Sequence, residues 1–523
     1  MTCIYFYLYL MIFLLFPNQL FYNISEYKSF TFYLIEEPRF MTDFNFHKLK
    51  IAYHRATMKK YYDYLKLKKF NIKYIEYDKV NTSFYKSLKG DIHCFFTADY
   101  SLQEKLNNIY KNRLTILETL NFLIKQDELP IIKSLIYKSS SYTHSEFYKY
   151  QRKKLDILIE NNKSNNPNLK PVSGKMAHPI SLNPNLKPVS GKWSFDNENR
   201  LALPKDIKVP KIKIQKNNKY ISEAKEYVNK HFPKNYGSLD NFIYPIDNKG
   251  SVKWLNNFLK ERLYNFGPYE DAVSDKEPFV FHSVLSPMMN IGILTDIQVV
   301  SISYKYYLKH TKTISIQSFE GFIRQVIGWR NYVYTIYLLE GNKINKMNNL
   351  KHNNEITNSF YKKLWTGNTG IEPIDSIINK IINYSYAHHI ERLMYLGNFL
   401  LLCQIKPIDV YKMFMEWTID AYDWVMVPNI FGMSQFAIEK GKQMMTRPYF
   451  SSSNYILKMS TYKKGSWCNN WDNLYYYFIY NNRDLLKNIY ATSMQVKHWD
   501  NKTSKEKEEI IKSSKIYLKE LLN

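Results

Sequence analysis

Four segments in the second half of the chain carry side chains whose types and spacing could build one polar site inside a helical core. The first is His282-Ser283-Val284-Leu285-Ser286-Pro287. Ser and Pro at a helix start offer hydroxyl and backbone donors of the kind that hold phosphate, although the same pattern also makes an ordinary helix cap. The second, residues 319–330, interleaves Glu320, Gln325 and Arg330 with large aromatics on one helix. Core packing accounts for Phe322 and Trp329, and less well for Gln325 and Arg330. The third runs through Tyr386-Ala387-His388-His389-Ile390-Glu391-Arg392. Read as one helix, its apolar stripe is Ile378, Ile382, Tyr386, Leu393, Leu396 and Leu400; His389 falls on it and His388 lies about 100° away, nearer Arg392. An inward His is commonly a satisfied core residue. Beside an inward Arg on a dry helix it becomes a candidate acid for a buried site. The fourth is Asp420, 28 residues beyond Arg392, which a turn between two helices would bring against the guanidinium. Buried Arg–Asp pairs are also common structural devices.

The elements that must position these groups belong to a long chain of 523 residues, enough for two to four domains. With 45% hydrophobic and 23% charged residues, it is excluded from the mainly disordered, collagenous and polytopic membrane classes. Lys plus Arg is 73 against 47 acids, a formal charge of +26. Such a charge attracts polyanions, nucleic acid above all, but a composition rich in Lys, Asn, Ile and Tyr would produce it equally. The cysteines, Cys3, Cys94, Cys403 and Cys468, form no C-x-x-C pair and fit no zinc or disulfide framework. A reducing, intracellular compartment is the natural reading, with no bound metal. The apolar run at 4–16 has no basic residue before it and no cleavage-site pattern after it. Residues 11–20 therefore read as a buried first strand entering a loop, and the protein as neither secreted nor membrane-spanning.

Residues 1–135 alternate strand-like segments, at 30–35 and 72–77, with a helical stretch at 47–69. This alternation argues for a parallel sheet with crossover helices. No G-x-G-x-x-G or Walker sequence is present. Residues 136–235 form a connector. Within it Asn-Pro-Asn-Leu-Lys-Pro-Val-Ser-Gly-Lys occurs at 166–175 and again at 183–192, a tandem duplication suited to a tolerant surface loop. A basic, proline-punctuated stretch follows and should run extended. From 236 to 523 helical periodicity dominates. The fold class is therefore an α/β amino-terminal parallel-sheet domain followed by a large all-α domain.

Taken in this order, the segments resemble the photolyase–cryptochrome family. The family's T-S-x-L-S-P loop matches 282–287 except at the first position, where His282 stands for Thr. Its W-R helix matches Trp329-Arg330, and its H-N-x-x-R-M pattern with a distant Asp is similar to 388–392 with Asp420. The bacterial photolyase-related branch, which includes (6-4) photolyase-like proteins, shows E-G-F-I-R-Q-x-x-G-W-R, Y-A-H-H-I-x-R-L-M and G-M-S-Q-F-A; this chain has them at 320–330, 386–394 and 432–437. Gly191-Lys192-Trp193-Ser194-Phe195-Asp196 with Glu198-Asn199-Arg200 in the connector and Asn18-Gln19-Leu20 near the start are further matches. The resemblance implies an antenna domain and a helical FAD-binding domain. It also implies light-dependent repair of ultraviolet pyrimidine photoproducts in DNA by a monomer, electrons passing from reduced FAD to a flipped lesion. It places Tyr269, His282, Ser283, Leu285, Ser286, Gln325, Arg330, Arg392, Asp420 and Tyr422 around FAD. His389 and His388 become the catalytic pair, Gln19 and Glu36 the holders of a lumazine- or folate-like antenna chromophore, and Trp365 and Trp424 electron relays or lesion contacts. Because (6-4) enzymes carry His at the position of His389, where dimer-splitting enzymes tend to carry Asn, (6-4) lesions are favoured over cyclobutane dimers.

The chain also departs from the family. The branch's four-cysteine iron–sulfur site has only Cys403 and Cys468 to draw on, so no cluster is expected. The Tyr462-Lys463-Lys464-Gly465 loop should be held instead by Trp467 and Trp471. Met426 falls where many photolyases place an Asn near the flavin N5, and Met413 where a relay Trp is common. The competing readings are a cryptochrome-like flavin photoreceptor without repair and a non-catalytic nucleic-acid-binding relic.

Overall fold

A computed structural model describes residues 11–138, 141–160, 186–213, 215–439 and 443–523. Five short strands, β1 (Met11–Leu15), β2 (Thr31–Ile35), β3 (Asn71–Ile75), β4 (Asp91–Phe95) and β5 (Leu114–Leu117), pair in parallel in the order β3-β2-β1-β4-β5. The central strands are continuous apolar runs because both faces of a parallel sheet are covered. β2 is buried throughout and β1 everywhere except Met11. The expected strand at the start of the chain and the helix at 47–69, observed as Lys48–Leu67, both form.

The helix Lys219–His231, at the end of the connector, packs along Lys48–Leu67 on one side of this domain. The first copy of the duplicated decapeptide and the start of the second lie outside the described residues. The base of that excursion is pinned where Val189 N–H donates to the Leu158 carbonyl at 2.8 Å and Glu160 N–H to that of Lys187 at 2.9 Å. Arg152 is buried there and donates to the carbonyls of Ile157, Leu158 and Trp193.

The remainder is helical, and its core is continuous with that of the sheet. Strand order reverses between β1 and β4, the point where open α/β sheets form a crevice. Here the crevice is stitched shut. The Gln19 amide donates to the carbonyls of Phe95 and Phe96, and that of Asn18 to Thr97. The helical half closes over it, with Leu20 N–H donating to the Ile291 carbonyl at 2.8 Å. Gly292 permits this approach, because a Cβ there would lie 2.5 Å from the Phe21 ring.

Among the described residues, no helix is long and apolar enough to cross a membrane.

Candidate functional site

The three helices bearing the conspicuous motifs each widen into a π-type stretch, at Arg324–Arg330, Glu391–Gly397 and Pro428–Ser434. Such stretches recur at functional sites because the extra residue per turn re-aims side chains and frees backbone groups. Two of them touch at Gly397, where a Cβ would meet Ser434 Oγ at 2.2 Å.

Asp420 is the meeting point of the segments. One carboxylate oxygen accepts from Ser286 Oγ at 2.5 Å and from Arg392 at 3.1 Å, and the other lies 2.9 Å from Arg392 Nη1. Burial alone would disfavour the Arg392 charge; Asp420 outweighs it and holds the guanidinium above its ordinary pKa. Arg392 is aimed further by donation to the Ala387 carbonyl at 2.6 Å and by the Tyr386 ring 5.2 Å away. Asn290 donates to the Asp420 carbonyl at 2.7 Å and accepts from Arg330. Arg330 also binds Asp296 at 2.7 Å and lies 4.9 Å and 4.8 Å from the rings of Phe122 and Trp424.

The loop before Ser286 is strained. Val280 and Val284 have φ of 44° and 52°, a left-handed conformation that costs a β-branched residue roughly 1–3 kcal/mol. Ser283 lies between them, its carbonyl bonded by Trp254 at 2.8 Å, and Leu285 is buried.

The third segment is not one helix. The helix Glu372–Tyr384 ends at Ser385, whose φ is 53°, and 386–388 run non-helically before helical geometry resumes at 389. The break resets the faces. His388, read as lying off the stripe, is completely buried, and His389, read as inward, is exposed. Protein nonetheless surrounds His389 closely enough that desolvation, then Arg392, pulls its pKa down to about 4. His388 stacks on His282 with ring centroids 4.2 Å apart, and burial keeps both neutral.

Other sequence-derived candidates lie elsewhere. Gln325 donates to Glu270, and Tyr269 packs on Phe281 at 5.7 Å, within a second polar cluster that includes Arg324, Asn199 and Asp196. Burial raises the Glu270 pKa to about 7. Tyr422 turns toward the sheet domain and bonds His54 at 2.8 Å. Trp424 packs on Phe122 at 4.7 Å, whereas Trp365 stacks on Tyr236 at 4.7 Å and lies 4.8 Å from Trp417. The two tryptophans thus serve different clusters. Gln19 and Glu36 are buried, and Glu36 is bonded to Arg55, Tyr74 and the Tyr77 N–H. Beyond the ends of β4 and β5 a recess of about 670 Å³ opens instead, lined by Phe96, Tyr100, Gln103, Glu118 and Asn342 among others.

Sequence reasoning missed Lys50. It is buried, donates to the carbonyls of Ala421 and Met415 at 2.7 Å and 3.1 Å, and has its pKa lowered by burial to about 7. A Lys among Leu49, Ile51 and Tyr53 was the available signal. Trp467 does hold the neighbouring loop, donating to the Lys463 carbonyl at 3.2 Å. Among the described residues no cluster of His, Cys, Asp or Glu could hold a metal ion.

Residues 13–176 and 175–244 match the family model described as deoxyribodipyrimidine photo-lyase-related protein. A (6-4) photolyase of Agrobacterium fabrum is 33% identical over 369 residues, which is 69% of this chain and 66% of that protein. Among solved structures, a bacterial class III photolyase from Agrobacterium tumefaciens has a TM-score of 0.56 at 14% identity, covering 98% of both chains. The Synechocystis cryptochrome has a TM-score of 0.55 at 12% identity, again over 98% of both.

Proposed function

Since the chain belongs to the deoxyribodipyrimidine photo-lyase-related family, we propose that it binds FAD between its helices and repairs ultraviolet photoproducts in DNA under light, (6-4) lesions before cyclobutane dimers. The observation that carries this reading is the clamp at Asp420. It fixes Arg392 and Ser286 together beside a strained loop and an accessible His389. Hydroxyls at Ser283 and Ser286, both partly exposed, and an oriented guanidinium suit the phosphates and polar ring edge of a flavin nucleotide. Arg330 stands behind them through Asn290, and His282 and Leu285 flank the two serines in the same loop, while Tyr269, Gln325 and Tyr422 serve other clusters. Bound FAD supplies the light-driven electron.

The protein's own residues supply binding and proton control. A base in a stack cannot be reached, so the lesion must be flipped to meet His389. The net charge of +26 supplies phosphate attraction, which salt should weaken. Moving the hydroxyl group of a (6-4) lesion requires a proton at the lesion, and His389 is placed to hold and return one. In the DNA-free protein His389 is neutral at pH 7. Docked phosphates raise its pKa, so that the acid forms where the substrate is. A lumazine- or folate-like chromophore in the sheet domain, near Gln19 and Glu36 or in the recess beyond β4 and β5, would widen the absorbed band. The protein is read as a monomer without an iron–sulfur cluster, working inside the cell.

The test is conversion of a (6-4)-containing oligonucleotide by purified, flavin-loaded protein under blue light and in the dark. Light-dependent restoration supports repair. A flavin band with no conversion of either lesion type points to the photoreceptor reading, and a colourless protein overturns both.

A further inference from the structure

A surface recess of about 730 Å³, separate from the Ser286–Arg392–Asp420 clamp, has Lys380 in its lining together with Asp275, Glu372, Asp375 and Trp467. The Lys380 side chain is only 8% accessible, and its ammonium donates to Glu391 Oε1 at 2.6 Å and to the Ser274 carbonyl at 2.5 Å. Glu391 is completely buried. Its other oxygen accepts from the His388 N–H at 3.0 Å and lies 3.6 Å from His388 Nε2. Neither ring nitrogen of His388 has a hydrogen-bond partner, nor does Nε2 of His282 stacked upon it. Unpartnered imidazole nitrogens beside a buried carboxylate are costly to maintain, which makes them candidates for a working role.

We propose that Lys380, Glu391 and His388 form a buried proton route from this recess to His389. The proposal rests on the reading that His389 protonates the lesion. One proton enters from solvent at Lys380 as the Lys380 ammonium passes its own to Glu391. Glu391 passes a proton to His388 Nε2, and His388 releases one from Nδ1 toward the adjacent His389. No electron moves; Lys380 and Glu391 end in their starting states, and His388 ends as its other tautomer, which a ring flip restores before the next proton passes. The charges that face His388 set its readiness to hold a proton. Glu391 and Arg392 do so from its own segment, Lys380 from the helix Glu372–Tyr384, and His389 from the next position. His282 lies on the far side, with Arg262 acting on it. Glu391 is therefore a positioning and relay residue that never touches the lesion.

The experiment compares the full flavin-loaded chain with Glu391→Gln, Glu391→Asp and the double variant Glu391→Gln/Lys380→Met. The double variant removes both charges at nearly constant volume, so folding survives if the single variant's does not. Three readouts are taken: affinity for a (6-4)-containing oligonucleotide, repair yield per flash against pH in H₂O and D₂O, and the imidazole titration of His389 by NMR in selectively labelled protein. Expected are unchanged DNA affinity, repair lowered roughly 10- to 100-fold with loss of the parent's solvent isotope effect, a shifted His389 titration, and partial rescue by Asp. Repair at the parent rate with an unmoved His389 titration overturns the route while leaving the functional reading intact. A parent that repairs no (6-4) lesion overturns that reading instead.

Discussion

His388 lies face to face with His282, the two ring centroids 4.2 Å apart and the planes 15° from parallel, while the next residue, His389, is exposed. Adjacent histidines thus have opposite surroundings, and of the two only His389 is exposed to a ligand. His389→Asn should keep FAD and DNA affinity yet lower (6-4) repair by about two to four orders of magnitude, the worth of a positioned general acid. His388→Asn at the sealed position should chiefly lower stability. Parent-rate (6-4) repair in the His389 variant would remove this residue from the mechanism.

Arg392→Ala tests the clamp. Charged hydrogen bonds are worth about 1.5–3 kcal/mol, so flavin affinity should fall roughly 10- to 100-fold. Asp420 keeps its bond from Ser286, which confines the damage to the site. Flavin absorbance per protein, set against the thermal midpoint, separates the two effects: occupancy should drop more than stability. Parent stoichiometry in the variant would overturn the assignment.

The legibility of these features follows from their physics. Strands buried on both faces read as apolar runs, so β1 and β2 were visible, and the half-exposed edge strand β3 showed through its β-branched and aromatic residues, but their order in the sheet depends on pairings across tens of residues. The Arg392–Asp420 pair was legible because spacing and charge agreed. The turn at Ser385 was not, because the helix ends there on a serine in left-handed geometry, with no Gly or Pro to announce it. Periodicity carried through that point put His389 inward and His388 aside, the reverse of what forms. Lys50 and Lys380 were hidden for another reason. A buried lysine is intelligible only once its distant partners, Ala421 in one case and Glu391 in the other, are in place.

Stability should fall in mild acid. Burial lowers the pKa of His47 and His352 to about 4 and of His54 and His144 to about 3, against about 6.5 in the unfolded chain. Between those values the unfolded state binds more protons, so each histidine removes up to about 1.4 kcal/mol per pH unit as pH drops below about 6.5. Glu270 and Asp271, raised by burial to about 7 and about 6, act in the opposite sense, because the folded state holds their protons more tightly. Other buried carboxylates are raised as well, Glu36, Asp296 and Asp423 among them, but every lowered histidine gains its unfolded-state proton near pH 6.5, so the histidines set the slope just below it. Urea midpoints should therefore decline between pH 6.5 and 5, while above pH 7 the lowered Lys50 makes them rise further with pH; a midpoint that rises as pH falls from 6.5 to 5 would contradict the balance.

Gly292→Ala probes the closure of the helical half over the sheet. Gly292 has φ of 82°, a conformation that costs a side-chain-bearing residue about 1–3 kcal/mol in itself. The added Cβ would also meet Phe21 at 2.5 Å, and Phe21 is packed edge-on against Phe95 at the end of β4. Phe21 cannot retreat without disturbing the crevice that Gln19 stitches, and the Leu20–Ile291 backbone bond would stretch with it. The substitution touches no flavin, lesion or proton-handling group. Its expected signature is a lowered thermal midpoint and faster proteolysis between the sheet domain and the helices, with repair per folded, flavin-loaded molecule unchanged. A variant as stable as the parent would show that the two halves do not depend on this contact.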